Sequence, residues 1–421
     1  MRKIAIIGGG QAGLLLGFGL IDKGYDVTIY SDRTAEQVMH SRLATTAFLF
    51  ESSLKIEREL CLNFWEDVAP YGEGIHVDFR APDGAVGLSV QGRLGVNHGQ
   101  ALDVRTKFHR WMNEFSRRGG RLVIQAISIA DLERISAEND LTIVAAGKGA
   151  ITALFERDEA RSPHKVPPRN LAAVLVTGSN LTGDRPWREI PFRPLRFNFI
   201  AGAGEYFSLP FYTHTKGECR SFLFEAVPGG PMDVFQDVKD GAEMVATVRE
   251  VVKRLTPDQA EHVPDDMEIT DANAWLKGAF TPVTRRPVGV LPSGNIVFGI
   301  GDAVVLNDPI AGQGANNANR MVKAYLSAIL ERGDRPFDRA WMEGLFEGFW
   351  EASGQYTCGF TNGLLVPPTP PVLELLGAAS KVPAIADEFC GNFNDPTRFW
   401  PAIADLDAAK RYVASKVAHV A

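Results

Sequence analysis

The sequence has few of the features that mark disulfide frameworks, metal sites and membrane spans. Its 421 residues include only four cysteines, which are widely spaced and form no CxxC pair. The eight histidines lack HxxxH or HExxH spacing, so we predict no metal site. No apolar run reaches the roughly 18 residues that a membrane span needs. We therefore expect free thiols in a reducing cytoplasm.

An excess of positive charge and an N-terminal signal are also missing. The formal net charge of −7 argues against a nucleic-acid groove and against binding to an anionic membrane surface. The chain runs straight into an apolar strand without a signal peptide, which favours a cytoplasmic protein. The composition, 45% hydrophobic and 23% charged, is typical of a globular protein, and the length suggests two or three domains.

A glycine-rich turn follows the first strand. Ile4–Ile7 is a short apolar run that predicts a buried parallel strand, and a second strand is predicted at Val27–Tyr30. Between them, Gly8, Gly10 and Gly13 match G-x-G-x-x-G at the start of an apolar helix. The first glycine allows a tight turn, the second lets the backbone approach a pyrophosphate, and the third lets the helix pack closely.

An acidic residue should follow the second strand of such a unit, where it binds ribose hydroxyls. Asp32 lies 19 residues after Gly13, close to the expected spacing. The free N–H groups of the helix N-terminus would bind the phosphates. An ordinary glycine-rich turn is the alternative interpretation, and this stretch is equally compatible with NAD and FAD.

Two further helices and one further strand follow this unit. Asp103 is a plausible N-cap for a helix that continues through Arg118, and another helix is predicted from about Ser53 to Trp65. Asp140–Gly147 predicts a buried strand that ends in small residues, which suits close approach of a ligand at the sheet crevice.

The pattern of elements predicts an α/β fold with three parts. A Rossmann-like dinucleotide-binding domain with a parallel sheet is expected at 1–165 and 285–335, with a strand insertion around 70–100. An antiparallel-sheet domain for the substrate is expected at 166–284, because short strands there are separated by Gly and Pro. A helical C-terminal region is expected at 336–421.

A second glycine-rich segment follows the late strand at 296–300. Gly301-Asp302 comes directly after this strand, and Pro309–Gly314 then opens a long helix that continues to about Leu330. Asp302 could accept hydrogen bonds from ribityl or ribose hydroxyls. A structural turn with an N-cap Asp is the alternative. Together with the first motif, the segment favours a flavoprotein over a simple NAD dehydrogenase.

The chain resembles the FAD-dependent aromatic monooxygenases of the hydroxybenzoate-hydroxylase fold. Within that fold it is similar to the oxygenase component of two-component styrene and indole monooxygenases, over almost its whole length. The most specific part is Gly312–Asn316 together with the C-terminal tail. The residues that carry the resemblance are Gly8–Gly13, Tyr30–Arg33, Arg42-Leu43, Asp103–Arg105, Arg118–Gly120, Asp140–Lys148, Gly301-Asp302, Asp308–Asn316, Asp387–Phe389, Asn392–Asn394 and Pro396.

The resemblance implies that the cofactor is FAD and that O2 is the co-substrate. The first glycine-rich turn would bind the pyrophosphate, Asp32 and Arg33 the adenosine end, and Pro309–Gly314 the isoalloxazine. Arg42 and Arg105 would face phosphate or ribityl groups. The full set of expected FAD-binding residues is Gly8, Gly9, Gly10, Gln11, Ala12, Gly13, Asp32, Arg33, Arg42, Arg105, Gly301, Asp302, Pro309, Gly312, Gly314, Ala315 and Asn316.

The implied chemistry takes place on the flavin and needs no catalytic protein residue. In the family, reduced FAD and O2 give a C4a-hydroperoxide, whose distal oxygen is attacked by a π-rich substrate. The protein positions the alkene and excludes water. No third glycine-rich loop for NADH is visible, so a separate NADH:flavin reductase is the expected source of reduced FAD. The sequence is compatible with either a monomer or a homodimer.

The substrate pocket is expected beside the isoalloxazine, although its aromatic neighbours could simply be core. Styrene epoxidases of the family usually place Asn, Val and His at the positions aligned with Thr45, Ala47 and Leu49, and the indole branch places Ser, Gln and Met there. This chain has neither set. Its segments Leu62–Glu66 and Gly74-Ile75 are more similar to those of the indole branch. The expected pocket residues are Thr45, Thr46, Ala47, Leu49 and Ile310.

The leading hypothesis is therefore a reduced-FAD-dependent monooxygenase that epoxidises indole, styrene or a related aryl alkene. A single-component aromatic hydroxylase that binds NAD(P)H directly is the first alternative. A flavin carrier or sensor without oxygenase activity is the second.

Overall fold

The computed structural model describes residues 2–95, 98–147, 149–180, 190 and 192–417. Its α/β architecture agrees with the predicted fold class. The strands in chain order are β1 (Lys3–Ile7), β2 (Asp26–Ser31), β3 (Phe48–Phe50), β4 (Tyr71–Gly72), β5 (Gly74–Arg80), β6 (Val86–Arg93), β7 (Gly99–Ala101), β8 (Arg121–Ile124), β9 (Leu141–Val144), β10 (Asn170–Thr177), β11 (Pro194–Ile200), β12 (Gly204–Thr213), β13 (Gly217–Ala226), β14 (Glu268–Ile269), β15 (Trp275–Gly278), β16 (Val283–Thr284), β17 (Val288–Val290), β18 (Ile296–Gly299) and β19 (Val305–Leu306).

The helices cover the sheets and form most of the last eighty or so residues. They are α1 (Gln11–Ile21), α2 (Ala35–Met39), α3 (Glu51–Glu59), α4 (Val104–Arg117), α5 (Ile129–Glu138), α6 (Gly241–Leu255), α7 (Gly314–Arg332), α8 (Arg339–Phe349), α9 (Gln355–Leu364), α10 (Pro370–Ala379), α11 (Pro383–Gly391), α12 (Trp400–Ile403) and α13 (Leu406–Val417). None of the helices in the described part of the chain is long and apolar enough to cross a membrane.

The first sheet has six strands in the order β17-β18-β9-β1-β2-β8. All pairs are parallel except β17 with β18. Its central strand β1 is apolar because both faces are covered, and Ile4, Ala5 and Ile6 are fully buried. The late strand β18 thus returns to the sheet that the N-terminus began, and the loops after β1, β9 and β18 lie at one edge.

The second sheet has eight strands and is mostly antiparallel. Its order is β14-β10-β13-β12-β11-β5-β6, and β15 also pairs with β10. The strands β5 and β6 come from the insertion around 70–100, and β5 pairs in parallel with β11 from Gly74↔Pro194 to Arg80↔Ile200. The rest of the insertion contributes β4 and β7 to a small sheet with the order β3-β7-β4.

Helix α3 is shorter than the sequence pattern suggests. It begins at Glu51 and ends at Glu59, whereas the predicted helix continued to about Trp65. The chain leaves the helical direction because Cys61 has a left-handed φ of 53°. The carbonyl of the next residue, Leu62, then accepts a hydrogen bond from the indole of Trp111 at 3.0 Å. This contact with α4 holds the chain just after the end of α3.

The C-terminal helices pack on the edge of the second sheet. A Cβ at Gly92 in β6 would lie 2.2 Å from the carbonyl oxygen of Ala386, so α11 rests directly on this strand. The backbone N–H of Arg93 donates to the Asp387 carboxylate at 2.7 Å. The tail that follows α11 is thereby brought towards α3 and α7.

One buried arginine ties the insertion to the rest of the second sheet. The guanidinium of Arg80 donates to Asp78, Asn198 and Asp258 and to the carbonyl of Gly84, at distances of 2.7–3.0 Å. These contacts use all five N–H donors of the side chain. Arg80 is buried, whereas the Asp258 side chain is half-exposed.

We predict that Arg80→Met lowers the free energy of unfolding by about 3 kcal/mol, because it leaves the buried Asp78 without its closest cation. The matched control is Asp258→Asn, which removes a half-exposed partner and should cost about 1 kcal/mol or less. Urea unfolding of both variants measures the difference. An equal loss of unfolding free energy in the two variants would contradict the claim that the buried Arg80 stabilises this part of the second sheet.

Candidate functional site

The turn after β1 has a separate structural reason for each of its three motif glycines. Gly8 has a left-handed φ of 123°, and its N–H donates to the carbonyl of Tyr30 at 2.9 Å. A Cβ at Gly13 would lie only 2.0 Å from the Gly8 carbonyl oxygen, so α1 packs directly on the turn. A Cβ at Gly10 would meet no heavy atom within 4 Å. The backbone at Gly10 therefore faces open space that a ligand can approach.

The N-terminus of α1 is not capped by a side chain of the described residues. Its N-cap residue is Gly10, which has no side chain, and Gln11, Ala12 and Gly13 form the first helical turn. The side chain of Gln11 points elsewhere, since it donates to Glu57 at 2.7 Å and to Asn319 at 2.9 Å. The helix end thus presents backbone N–H groups and a positive partial charge, which suits a phosphate.

Three loops of the first sheet meet at this turn. A Cβ at Gly8 would lie 3.0 Å from the backbone of Ala145, in the loop after β9. A Cβ at Gly301 would lie 3.1 Å from the Cβ of Ala12, and Gly301 has a φ of 60°. In the same way, Gly147 allows the side chain of Asp302 to approach, since an added Cβ would lie 2.6 Å from it. The structure therefore brings the first motif, the small residues after β9 and Gly301-Asp302 together, with Asp302 exposed.

The residues expected at the adenosine end follow β2 at the same edge of the sheet. Asp32 and Arg33 come directly after Ser31 and form an exposed ion pair of 3.5 Å. Gly9 lies against the strand end, since a Cβ there would be 3.2 Å from the Ser31 side chain. Asp32 is therefore placed beyond the glycine-rich turn, with its carboxylate accessible.

The two arginines expected to face phosphate or ribityl groups make protein contacts. The guanidinium of Arg42 stacks on the indole of Trp275 at 4.0 Å. Arg105 is buried and donates to Asp103, to Asp271 and to the carbonyl of Ser41 at 2.6–3.2 Å. These contacts engage all five N–H donors of Arg105. A direct contact of Arg105 with a phosphate would require one of these hydrogen bonds to break.

The second glycine-rich segment forms a short turn that leads into α7. The carboxylate of Asp308 accepts the N–H of Ile310 at 3.1 Å and so caps the 3-10 turn Pro309–Ala311. Gly312 follows in the left-handed region with a φ of 62°. Helix α7 then begins at Gly314, and no side chain of the described residues caps it. This turn again ends at a helix N-terminus whose N–H groups are not capped by a side chain of the described residues.

Asn316 joins this turn to β3. Its amide nitrogen donates to the carbonyl of Phe48 at 2.8 Å and to that of Gly312 at 2.7 Å. Its amide oxygen accepts the N–H of Phe50 at 3.0 Å. Asn316 is completely buried, so its two hydrogen bonds to β3 are shielded from water. The short strand that carries Leu49 is therefore held in a fixed position relative to the Pro309–Gly314 turn.

The C-terminal tail closes over the same turn. The side chain of Gln313 donates to the carbonyl of Phe393 at 2.9 Å and accepts from Arg320 at 2.9 Å. Asn394 accepts the N–H of Ser52 at 2.8 Å, at the start of α3. The tail that carried part of the resemblance thus contacts both helices that flank the site.

Arg320 provides a buried positive charge behind Gln313. Its Nε and Nη1 atoms are buried and find no hydrogen-bond partner among the described residues. Burial lowers the pKa of Arg320 to about 10, against the opposing effect of the Asp395 carboxylate. The guanidinium remains charged at neutral pH, and it adds to the positive end of α7.

The two faces of β3 separate the expected pocket residues. Phe48 and Phe50 point into an apolar core that also contains Ile310, which is 1% exposed. Leu49 points the other way and lines a cavity of about 20 Å³ together with Ala47. Thr45, earlier in the same segment, is exposed, and its neighbour Thr46 is half-buried. Only Ala47 and Leu49 of the expected set line the cavity.

Sequence reasoning missed the polar side of this cavity. Glu57 and Lys107 both line it and form a buried ion pair of 2.8 Å, and Gln11 bonds to the same Glu57. Gln100 and Asn63 complete the polar lining. Lys107 belongs to an amphipathic helix, and its partner is 50 residues away, so local patterns could not pair them. The cavity thus connects the first turn of α1 with the strand expected at the substrate.

We predict that Gly13→Ala lowers the free energy of unfolding by about 3 kcal/mol, because the new methyl group would overlap the Gly8 carbonyl. The matched control is Gly10→Ala. It places the same group in open space and should stay within about 1 kcal/mol of the wild type. Thermal or urea unfolding measures both. A Gly13→Ala protein as stable as Gly10→Ala would contradict the close packing of α1 on the turn.

Comparisons with known proteins show which proteins this chain resembles. The family profile "Styrene monooxygenase A putative substrate binding domain" matches residues 147–262. Styrene monooxygenase StyA of a Pseudomonas species is 29% identical over 414 residues, which cover 95% of this chain and 94% of the relative. Styrene monooxygenase StyA of Pseudomonas fluorescens is 28% identical over 410 residues, with the same coverage of both chains.

Solved structures with the same fold include flavin-dependent enzymes. A triple variant of the flavin-dependent brominase Bmp2 has a TM-score of 0.64 at 15% identity and covers 97% of this chain and 100% of its own. The flavin-dependent halogenase CmlS has a TM-score of 0.62 at 16% identity, covering 95% of this chain and 77% of its own. These likenesses establish the fold. The matches to StyA confirm the predicted resemblance, since the chain is similar to this styrene monooxygenase over 95% of its length.

Proposed function

We propose that the chain is a reduced-FAD-dependent monooxygenase that epoxidises indole, styrene or a related aryl alkene, with reduced FAD supplied by a separate NADH:flavin reductase. The observation that carries the proposal is the link made by Asn316. It ties β3, which lines a cavity with Leu49, to the glycine-rich turn at the start of α7. A substrate beside β3 would therefore be held against a flavin ring at that turn.

The residues at the three loops fit an extended dinucleotide. The open space at Gly10 and the uncapped N-terminus of α1 would take the pyrophosphate. Asp32 would bind the adenosine ribose, and Asp302 the ribityl chain. The Pro309–Gly314 turn would contact the isoalloxazine. In this arrangement Arg42 and Arg105 support the site through Trp275 and Asp271 rather than by direct contact with phosphate.

Bound reduced FAD would activate O2, and the protein would orient the substrate and keep water away. The cavity beside Leu49 has a volume of about 20 Å³, which is the space of one water molecule. An aryl alkene therefore requires the side chains of Leu49 and Leu54 to move. Glu57 and Lys107 in the lining are already paired with each other, so a charged substrate would lose its hydration without gaining an unpaired partner.

The first test supplies chemically reduced FAD and air to the purified protein, with indole and styrene in separate vials and no NADH. We expect indigo from indole or styrene oxide from styrene, and the relative rates identify the preferred substrate. Gly10→Ala should lose most of the product, because its methyl group occupies the space expected for the pyrophosphate. Hydrogen peroxide alone in both vials would contradict the proposed activity, and a test with NADPH and phenols would follow.

A second test concerns the position of β3. Asn316→Ala removes two buried hydrogen bonds to β3 and one hydrogen bond to the carbonyl of Gly312 in the turn. We expect about tenfold less product per reduced FAD and more hydrogen peroxide, because small displacements of reacting groups are costly. Asn295→Ala, in an exposed turn, is the matched control and should form as much product per reduced FAD as the wild type. An unchanged yield of product per reduced FAD in Asn316→Ala would show that β3 does not position the substrate.

A further inference from the structure

A cluster of three carboxyl groups and one arginine lies next to the Pro309–Gly314 turn. Glu205 and Glu225 stand directly opposite each other on the neighbouring strands β12 and β13. Asp308, at the start of the turn, is the third carboxyl, and all three residues are buried. Arg169 binds Glu205 with two hydrogen bonds, of 2.7 and 2.9 Å. One arginine cannot neutralise three buried carboxylates.

Glu225 is the member of the cluster without a donor. It is 0% exposed, and among the described residues neither of its side-chain oxygens has a hydrogen-bond donor. The charge that acts most strongly on Glu225 is that of the Asp308 carboxylate, which raises the pKa of Glu225. Two carboxyl groups can share a hydrogen bond only if one of them carries a proton. An unpaired buried carboxylate would be far more costly than the neutral acid.

The proton belongs on Glu225 rather than on Asp308. The carboxylate of Asp308 already accepts the backbone N–H of Ile310 at 3.1 Å, as an N-cap residue does. Glu225 has no such donor, and Glu205 stands across from it on β12. Burial first, then the charge of Asp308, raises the pKa of Glu225 well above its ordinary value, while Arg169 acts weakly in the opposite direction.

We propose that Glu225 is a positioning residue that stays protonated in the folded protein and donates a hydrogen bond to the Asp308 carboxylate, and so holds the Pro309–Gly314 turn. Glu225 does not contact the reacting atoms, and it acts through Asp308 and the Ile310 N–H. The charged groups that surround it are Asp308 from the turn, Glu205 from β12 and Arg169 before β10. Its effect on flavin binding rests on the proposed function; its protonation does not.

Infrared spectroscopy of the unliganded protein tests the protonation directly. At neutral pH, where exposed carboxyl groups are ionised, the wild type should show the C=O stretch of a buried carboxylic acid. The band should disappear in Glu225→Gln and remain in Glu218→Gln, which changes a half-buried glutamate at the other end of β13. A spectrum without such a band, or a band that survives in Glu225→Gln, would overturn the proposal. This result does not depend on any activity.

The pH dependence of stability provides a second readout. Because its folded-state pKa is raised, Glu225 favours the folded state most below the ordinary glutamate pKa, and this contribution is lost as the pH rises towards the folded-state value. Over that interval, the unfolding constant of the wild type relative to Glu225→Gln should grow by up to about tenfold per pH unit. A constant ratio across the interval would contradict a proton on Glu225.

The positioning role is tested by the affinity for reduced FAD. Glu225→Gln keeps a neutral donor and should bind within about twofold of the wild type, whereas Glu225→Leu should bind about tenfold more weakly. The affinity of the wild type for reduced FAD should also fall as the pH approaches the folded-state pKa of Glu225. The affinity of Glu225→Gln should not change over the same pH range. If the Gln and Leu variants bound reduced FAD with equal affinity at all pH values, the result would contradict a positioning role for Glu225. If no variant binds FAD and the acid band is present, the proposed function fails while the protonation of Glu225 stands.

Discussion

The close approach of α1 to the turn after β1 is the constraint on which the site depends. Only a glycine at position 13 lets the helix come within contact of the Gly8 carbonyl, and this places the uncapped helix end at the edge of the first sheet. The loops after β9 and β18 are drawn to the same point by Gly147 and Gly301. Three close approaches at glycines thereby arrange three loops around the open space at Gly10.

The rest of the site is assembled by buried side-chain hydrogen bonds that span large sequence distances. Asn316 holds β3 to the second glycine-rich turn, and Gln313 holds the tail at Phe393 to the same turn. Gln11 and Glu57 connect the cavity to α1. Each of these groups is fixed because leaving a buried polar atom unpaired is costly. Rigidity at the turn is what a flavin site needs to keep a substrate in line with the ring.

Much of the first sheet and of its glycine motif could be predicted from the sequence, because strand, turn and helix are local patterns. The N-cap of α4 at Asp103 is such a case, since its carboxylate accepts the N–H of Arg105 at 2.9 Å. The engagement of Arg105 with Asp271 could not be predicted, since the partners are 166 residues apart. Likewise, the opposition of Glu205 and Glu225 follows from the register of β12 and β13, which no local pattern specifies.

The most direct test of the account is a crystal structure of the protein grown anaerobically with reduced FAD. We predict pyrophosphate oxygens within hydrogen-bonding distance of the backbone N–H groups in the first turn of α1, and an isoalloxazine ring against Pro309–Gly314 with one edge towards Leu49. Density for FAD away from Gly10, or a ring separated from β3, would contradict the claim that the Gly13 contact and the Asn316 link together build a flavin site.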